Sequence, residues 1–406
     1  MFNIKGSLFT LFSLFPIAIL AGNLPINSLI FLISLIFLFG LVTRKVFFEN
    51  QNKIFFLLAF FLISLLINLA FSNNYLLSAP RVIKFCLLIF FITSFRYLVL
   101  NLQENQINKI YKIWSIIFGI VVADLIIEFF KGTNIIGLSS LMPGNRLGSF
   151  TGEESVIGNY FYGFVLIALS YIYKNFSDQK FINLFLAMFF IIISLVIGER
   201  ANFIKSFIII FLFIFFVYDF KLKTKIISLL LLFSLIIIFL NINLTYKYRY
   251  LSTHLQTLLQ KDGVSKYLNS SQYGAQYNVA KEIFKDNPLF GVGIKNFRVE
   301  VYNQKYDDLK HGENRLRHAT HPHQIHYEFL SETGLVGYIC FLVFIILSIL
   351  WSVKSYLINK NIYQLSGIFF ILASMIPLLP SGSFLSTYTS SIFWLNYAIM
   401  MGYNKK

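Results

Sequence analysis

Histidine is concentrated in one part of this chain. All six copies lie between positions 254 and 326, at His254, His311, His318, His321, His323 and His326. Histidine exchanges a proton readily near neutral pH, so this segment is where we expect proton transfer. The spacing of the last four matches no common zinc framework, and no carboxylate lies among them. We therefore interpret at least three of the six as solvated loop residues, and we expect neither a metal ion nor another cofactor.

His323 differs from the others because it directly follows Pro322. Proline suits the first turn of a helix, so His323 is predicted at the mouth of the apolar helix that follows. The positive end of the helix dipole disfavours an imidazolium ion there. A neutral imidazole can accept a proton, and we assign His323 as a general base. His326 and Tyr327 lie three and four residues on, on the same helix face, and are expected to support it.

Three arginines are candidates for binding phosphate. Arg200 lies where one apolar run ends and the next begins, Arg249 follows another apolar run, and Arg146 lies in a stretch rich in glycine. The planar guanidinium donates paired hydrogen bonds to phosphate oxygens, which makes arginine suited to this role. The alternative is that these side chains reach lipid headgroups at a membrane surface.

The composition indicates which elements position these residues. The chain is 57% hydrophobic and only 13% charged, whereas a soluble domain carries about 25% charged residues. A membrane-spanning helix needs roughly 20 mostly apolar residues. We therefore predict an all-α integral membrane protein with about twelve spans. The candidate segments are 7–22, 24–42, 54–71, 81–100, 110–130, 155–173, 181–198, 202–218, 225–243, 323–352, 362–379 and 384–403.

The distribution of Lys and Arg predicts the orientation of these spans. With the N-terminus in the cytoplasm, cytoplasmic segments hold sixteen Lys and Arg and the short outer loops hold six, as the positive-inside rule requires. Both termini are then cytoplasmic. The net charge of +16 is explained by topology, so we expect no nucleic-acid partner. The first apolar run lacks a cleavage site and is interpreted as a retained helix.

One membrane domain with one large outer loop follows from this map. Residues 1–243 hold helices 1–9, residues 244–322 form the loop, and residues 323–406 hold helices 10–12. The stretch from Ala275 to Phe284 has apolar residues at helical spacing. We therefore expect a small helical cap in the loop, lying on the outer face.

Three motifs carry a resemblance to a known family. His323-Gln324, nine further residues and then Gly334-Leu-Val-Gly337 resemble the signature of the O-antigen ligase and polymerase superfamily. The stretch from Asn287 to Phe297 and the tetrapeptide Gly198-Glu-Arg-Ala201 are also similar to that family. The resemblance extends to the layout of the chain, with a large outer loop between the ninth and tenth spans and the histidine at its end.

The resemblance implies a metal-independent, inverting glycosyltransferase of the bacterial inner membrane, with its active site on the periplasmic side. Ligases of this family move a glycan from undecaprenyl pyrophosphate to a sugar hydroxyl of the lipid A–core. Carried over, His323 deprotonates the acceptor hydroxyl, Arg200 and Arg249 hold the pyrophosphate, and Arg146 assists. Gln324 is an accepted variant at its position and belongs with the supporting residues. The implied partners are the lipid-linked donor, a lipid A–core or glycan acceptor, and membrane lipids.

Other functions stay open at this point. A repeat-unit polymerase of the same family shares the donor and the base, and the single dominant outer loop favours the ligase over it. A flippase or transporter without catalysis would need ionisable residues within its spans. Asp124 and Glu128, four residues apart in the fifth span, are the best such pair. A structural membrane protein whose loop binds a partner is a further alternative.

Overall fold

The computed structural model describes residues 3–47, 52–139, 146–152, 154, 156–252, 257–307 and 314–404. Two of the six histidines, His254 and His311, lie outside these residues. The regular elements across the described ranges are helices, with no strand among them, so the predicted all-α class is confirmed.

Ten helices lie before the long loop, in the part of that stretch that the structure describes. They are α1 (Ile4–Ser13), α2 (Phe15–Ala21), α3 (Asn23–Val42), α4 (Asn52–Ala70), α5 (Tyr75–Asn101), α6 (Glu104–Lys131), α7 (Ile157–Asn175), α8 (Lys180–Val196), α9 (Arg200–Val217) and α10 (Leu222–Ile242).

Short helices occupy the long loop, and three long ones follow. The loop helices are α11 (Leu244–Lys247), α12 (Gly263–Ser270), α13 (Gln272–Asp286), α14 (Phe297–Glu300) and α15 (Asn314–Arg317), and the last three are α16 (Ile325–Asn359), α17 (Ile362–Ser374) and α18 (Thr387–Gly402).

Seven of these helices are long and apolar enough to cross a membrane, or eight if the bent pair α1 and α2 is one span. The break between α1 and α2 bends the pair by 44°. The four remaining predicted segments also form helices (α7, α8, α17 and α18), but these do not meet the same test of length and apolar composition. The membrane-spanning character of the chain is thus supported, and twelve spans stays a prediction.

Lipid is the environment that the outermost helix requires. Helix α10 is apolar all round, yet only 17% of it is buried inside the protein, and Leu230 and Ile237 are about three-fifths exposed. A helix of this kind is stable where hydrocarbon covers it.

The loops after α4, α6, α8, α10 and α17 meet at one end of the bundle. Backbone hydrogen bonds join them: the Asn73 N–H donates to the Val292 carbonyl at 3.0 Å, the Leu147 N–H to the Ile197 carbonyl at 3.1 Å, and the Ser381 N–H to the His323 carbonyl at 2.7 Å. The predicted amphipathic helix is present here as α13. It contributes Val279, Ala280 and Ile283 to a small apolar cluster of the long loop.

Helix α16 is broken at Gly334. Backbone groups at the break form hydrogen bonds with the stretch from Asn287 to Phe297. Gly334 has φ 64° and ψ −168°, a region that only glycine adopts readily. The Leu335 N–H therefore donates to the Pro288 carbonyl at 2.8 Å instead of continuing the helix, and the Val336 N–H to the Leu289 carbonyl at 3.1 Å. Gly334, the first glycine of the Gly334-Leu-Val-Gly337 motif, thus fixes the loop against the helix.

Glycines on both sides allow this close approach. A Cβ atom on Gly334 would lie 2.4 Å from backbone atoms of Leu289, and one on Gly291 would lie 2.5 Å from the backbone of Glu332. In return the Val292 and Gly293 N–H groups donate to the Ser331 and Glu332 carbonyls at 3.0 and 2.8 Å.

Candidate functional site

The segment that carries His323 differs from the prediction in one respect. Helix α16 begins at Ile325, not at Pro322, and Gln324 is its N-cap, with a side-chain oxygen that accepts from the Tyr327 N–H at 3.0 Å. His323 has a left-handed φ of 53°, which places it two residues before the helix. The prediction that Pro322 occupies the first helical turn was therefore wrong, because the glutamine side chain caps the helix further along.

The His323 ring lies between a histidine and a tyrosine. Its ring centroid is 3.9 Å from that of His321 and 5.6 Å from that of Tyr273. Burial lowers the pKa of His323, opposed by a hydrogen bond to the backbone of Ser381. Burial, with the neighbouring His323, lowers the pKa of His321 to about 2. Both rings are neutral at pH 7, and burial contributes most to keeping His323 uncharged.

The three supporting residues hold the start of α16 in place. Gln324 caps the helix as described. His326 bonds to the Met375 carbonyl through Nε2 at 2.9 Å and to the Tyr338 hydroxyl through Nδ1 at 3.0 Å. Tyr327 stacks on Tyr277 of α13, with centroids 4.9 Å apart. These contacts position the His323 segment relative to α13 and α17.

Arg249 lies against the end of α8. The last carbonyls of a helix have no partner within it, and here residues 246–250 supply the partners. The Tyr246 hydroxyl donates to the Val196 carbonyl at 2.6 Å and the Tyr250 hydroxyl to the Leu195 carbonyl at 2.8 Å. Arg249 Nε donates to the Gly198 carbonyl. This side chain is thereby fixed beside the turn that begins α9.

Arg200 and Glu199 form that turn. Arg200 donates to the Arg249 carbonyl at 3.5 Å. The Glu199 carboxylate accepts from the Gly158 N–H at 2.8 Å and from the Asn202 side chain at 2.6 Å. A Cβ atom at Gly158 would lie 2.6 Å from the Glu199 carboxyl carbon, so α7 can approach the carboxylate because this residue is glycine.

Two buried carboxylates hold the loop that carries Arg146. Asp124 accepts from the Ile135 N–H at 2.7 Å and from the Ser149 hydroxyl at 2.5 Å. Glu128 accepts from the Gly148 and Ser149 N–H groups at 3.0 and 2.6 Å. The ionisable pair that a transporter would use along its path thus has loop groups as its partners. A wholly buried carboxylate requires such hydrogen bonds.

The three predicted arginines are close enough to affect one another's charge. Burial lowers the pKa of Arg249, and the positive charges of Arg146 and Arg200 lower it further. Burial raises the pKa of Glu199, while its hydrogen bonds and the charges of Arg146 and Arg249 oppose the rise. Three guanidinium groups therefore share a site with one carboxylate, and an anion would relieve their mutual repulsion. Arg146, Arg200, Arg249 and Glu199 are called the arginine group below.

Tyr267 links the arginine group to His323. It lies within electrostatic range of both Arg200 and Tyr273, and Tyr273 contacts the His323 ring. The loop helices α12 and α13 carry the two tyrosines, so the long loop lies between the arginines and the imidazole.

One comparison with known proteins gives a match. Residues 184–342 match the family model described as O-Antigen ligase. This match supports a relationship of the chain to the O-antigen ligase and polymerase superfamily. The matched region is less than half of the chain, and it includes Arg200, Arg249 and His323 but not Arg146. No curated protein matches the chain.

A second set of cations was not predicted as a site. Two of them lie inside the region that matches the family model, and two lie outside it. Lys295 and Arg298 lie within electrostatic range of Arg81 on α5, and Lys295 and Arg81 also of Lys84. In the sequence, Arg81 and Lys84 are only two of the six basic residues assigned to the short outer loops and their flanks. Two basic residues three apart within an apolar helix are a functional signal in a membrane protein, and this signal could have found them.

The described part of the chain offers no metal site. It holds no cluster of three or more His, Cys, Asp or Glu side chains that could bind a metal ion. The chemistry that the described residues can perform is proton acceptance by a neutral histidine and binding of an anion by guanidinium groups.

Proposed function

We propose that this protein is an O-antigen ligase that moves a glycan from undecaprenyl pyrophosphate to a hydroxyl of the lipid A–core, at the periplasmic face of the inner membrane. The observation that carries the proposal is the arginine group, in which three arginines and one carboxylate lie near one another and Tyr267 and Tyr273 lie between them and the neutral His323. The family match supports a membrane glycosyltransferase of the ligase or polymerase type.

The reaction divides into binding and displacement. Arg200, Arg249 and Arg146 bind the pyrophosphate oxygens of the donor. This stabilises the negative charge that develops on the leaving group as the glycosidic bond breaks. His323 accepts the proton of the acceptor hydroxyl while the oxygen attacks the anomeric carbon. The new carbon–oxygen bond replaces the bond to pyrophosphate, undecaprenyl pyrophosphate leaves with the electron pair, and the configuration at that carbon inverts.

The environment of His323 suits this role. A base must be uncharged before it accepts a proton, and burial keeps the pKa of His323 below its usual value. The Ser381 backbone fixes the ring through a hydrogen bond, and Tyr273 and His321 enclose it. This fixed geometry lowers the cost of aligning the base with the acceptor.

The transfer assay that tests the proposal uses purified protein in lipid nanodiscs and a labelled undecaprenyl-pyrophosphate glycan. One sample receives lipid A–core and the other only more donor. Label on the lipid A–core is the expected result. Chain growth on the carrier lipid alone would identify the protein as a polymerase and would refute the ligase assignment. Absence of both products, in protein that still binds the donor, would refute the proposal that the protein is a glycosyltransferase.

A further inference from the structure

Lys205 is a buried cation to which the proposed reaction gives no role. It is the one charged residue of α9 after Arg200, and only 5% of it is exposed. A charge buried in an apolar helix is unfavourable unless it is hydrogen-bonded, and such residues mark functional sites in membrane proteins. The contacts of its ammonium group therefore indicate what it does.

The Lys205 ammonium lies between a backbone carbonyl and an aromatic ring. Nζ donates to the carbonyl of Pro380, in the loop between α17 and α18, at 3.1 Å. It is 5.9 Å from the centroid of the Tyr162 ring of α7, within the range of a cation–π contact. Glu199 of the arginine group lies within electrostatic range. These contacts hold the ammonium against the Pro380 carbonyl.

The peptide group that joins Pro380 to Ser381 also contacts His323. Its oxygen accepts from Lys205, and its N–H, which is that of Ser381, donates to the His323 carbonyl at 2.7 Å. One planar peptide group thus lies between the ammonium and the histidine backbone. An ammonium at the carbonyl oxygen polarises the peptide group, so the N–H becomes a stronger donor. Lys205 therefore strengthens the hydrogen bond to His323.

The conformation of His323 depends on this hydrogen bond. Its φ of 53° is left-handed, a conformation that a residue with a side chain keeps where surrounding contacts hold it. The backbone of Ser381 also forms a hydrogen bond with the His323 ring. A shift of residue 381 would therefore move both the backbone and the ring of the histidine.

Helix α9 carries both Lys205 and Arg200. The two residues are five apart, which is about 7.5 Å along a rigid helix. Arg200 belongs to the arginine group, and Lys205 bonds to the peptide group that holds His323. The same helix thus fixes the position of the histidine relative to the arginine group.

We propose that Lys205 is a positioning residue, which holds His323 in place relative to the arginine group through the Pro380–Ser381 peptide group. Its effect on glycan transfer rests on the proposed function. Its effect on the orientation of His323 rests on the contacts alone.

Histidine NMR tests the positioning without the reaction. Protein labelled with ¹⁵N at histidine is placed in nanodiscs, and the signals that are lost in His323→Ala identify His323 among the six histidines. Lys205→Met keeps the length of the side chain and removes the ammonium, so it should shift the His323 ring signals. His323 signals that are the same in Lys205→Met and wild type would overturn the proposal.

Lys225→Met is the matched control. Lys225 is also buried, and its ammonium donates to the Phe215 carbonyl at 2.8 Å and lies 5.8 Å from the centroid of that ring, near the other end of α9. This substitution should leave the His323 signals unchanged, and equal shifts in the two variants would overturn the proposal. If Lys205→Met loses its monodisperse size-exclusion peak, Lys205→Gln, which keeps a polar group at the buried site, is judged by the same criterion.

Single-turnover transfer tests the consequence for catalysis. Lys205→Met should slow transfer about tenfold or more with saturating substrates and leave donor affinity unchanged. In the His323→Ala background it should change the rate less than about twofold, because a positioning residue acts through the residue that it positions. Additive losses in the double variant would overturn the proposal. So would a loss of donor affinity at an unchanged rate, which would assign the ammonium to the pyrophosphate.

The two experiments together distinguish failure of this inference from failure of the proposed function. Wild-type protein that transfers no glycan, with His323 signals that depend on Lys205, overturns the proposed function and leaves the positioning of His323 by Lys205. Active wild-type protein, with His323 signals and a transfer rate that Lys205→Met does not change, overturns this inference and leaves the proposed function.

Discussion

Gly334 is the position where one methyl group should disturb the fold and the site together. We consider the substitution Gly334→Ala. The native φ of 64° and ψ of −168° lie in a region that costs a residue with a side chain about 1–3 kcal/mol. The added Cβ would also lie 2.4 Å from the carbonyl carbon and oxygen of Leu289. These are backbone atoms, so no side chain can rotate away and the loop itself must move.

Movement of the loop adds to the cost. Four backbone hydrogen bonds join residues 288–293 to residues 331–336, and each contributes about 1 kcal/mol. Loss of two of the four, added to the backbone strain, gives a destabilisation of about 3–5 kcal/mol. The same movement would shift Lys295, which the loop carries to Ser383 and Glu332, so transfer should also fall.

Thermal unfolding of purified protein in nanodiscs, followed by retention of the monodisperse size-exclusion peak, measures the effect. Gly119→Ala is the matched control, because a Cβ atom there meets nothing within 4 Å and helix propensity favours alanine. We expect a lower unfolding temperature for Gly334→Ala and an unchanged or higher one for Gly119→Ala. Equal unfolding temperatures for Gly334→Ala and wild type would refute the argument that the glycine is needed for the backbone contact.

Three further predictions concern the site. Arg200→Lys keeps the charge but loses the paired hydrogen bonds, so KM for the donor should rise about tenfold; unchanged donor kinetics would argue against a specific pyrophosphate contact. The pKa of His323 is lowered in the folded protein, so its base form persists below pH 6.5 and the acid limb of kcat/KM should lie below that value; an acid limb above pH 6.5 would contradict the burial argument. Glu128→Gln should weaken donor binding through Arg146, because it removes the charge that holds the Gly148 and Ser149 N–H groups; donor affinity equal to wild type would show that this loop is not needed.

The arginines of the arginine group can be chosen from the sequence, whereas the contacts around them cannot. Arg146, Arg200 and Arg249 were chosen as candidates by residue type and by their position at the ends of apolar runs, and the structure brings them together. The contacts that do so depend on tertiary structure. They include three side chains from residues 246–250 that bond to carbonyls near the end of α8, which no local pattern predicts.

The start of α16 shows why helix boundaries are hard to predict. Pro322 is typical of a first helical turn, but a glutamine two residues later caps the helix. His323 takes a left-handed conformation between them. The start of the helix is therefore set by the side-chain cap at Gln324 and not by Pro322.

The cations Arg81, Lys84, Lys295 and Arg298 were missed for a different reason. The first two are far from the last two in the sequence, and tertiary contacts, such as the Ser78 hydroxyl donating to the Ile294 carbonyl at 2.7 Å, bring the loop stretch to α5. Asp124 and Glu128 show the converse. Their spacing is compatible with an ion path, whereas their hydrogen bonds to the loop before α7 make them structural.

Single-turnover transfer separates a general-base role of His323 from a structural role. Wild-type protein, His323→Ala and the matched control His318→Ala are loaded with labelled donor and mixed with lipid A–core. His318 lies in the same loop and stacks on Tyr302, not on His323. We expect His323→Ala to slow transfer about 100-fold or more, with donor binding intact, and His318→Ala to transfer at the wild-type rate. Transfer by His323→Ala at the rate of the control would refute the general-base role of His323.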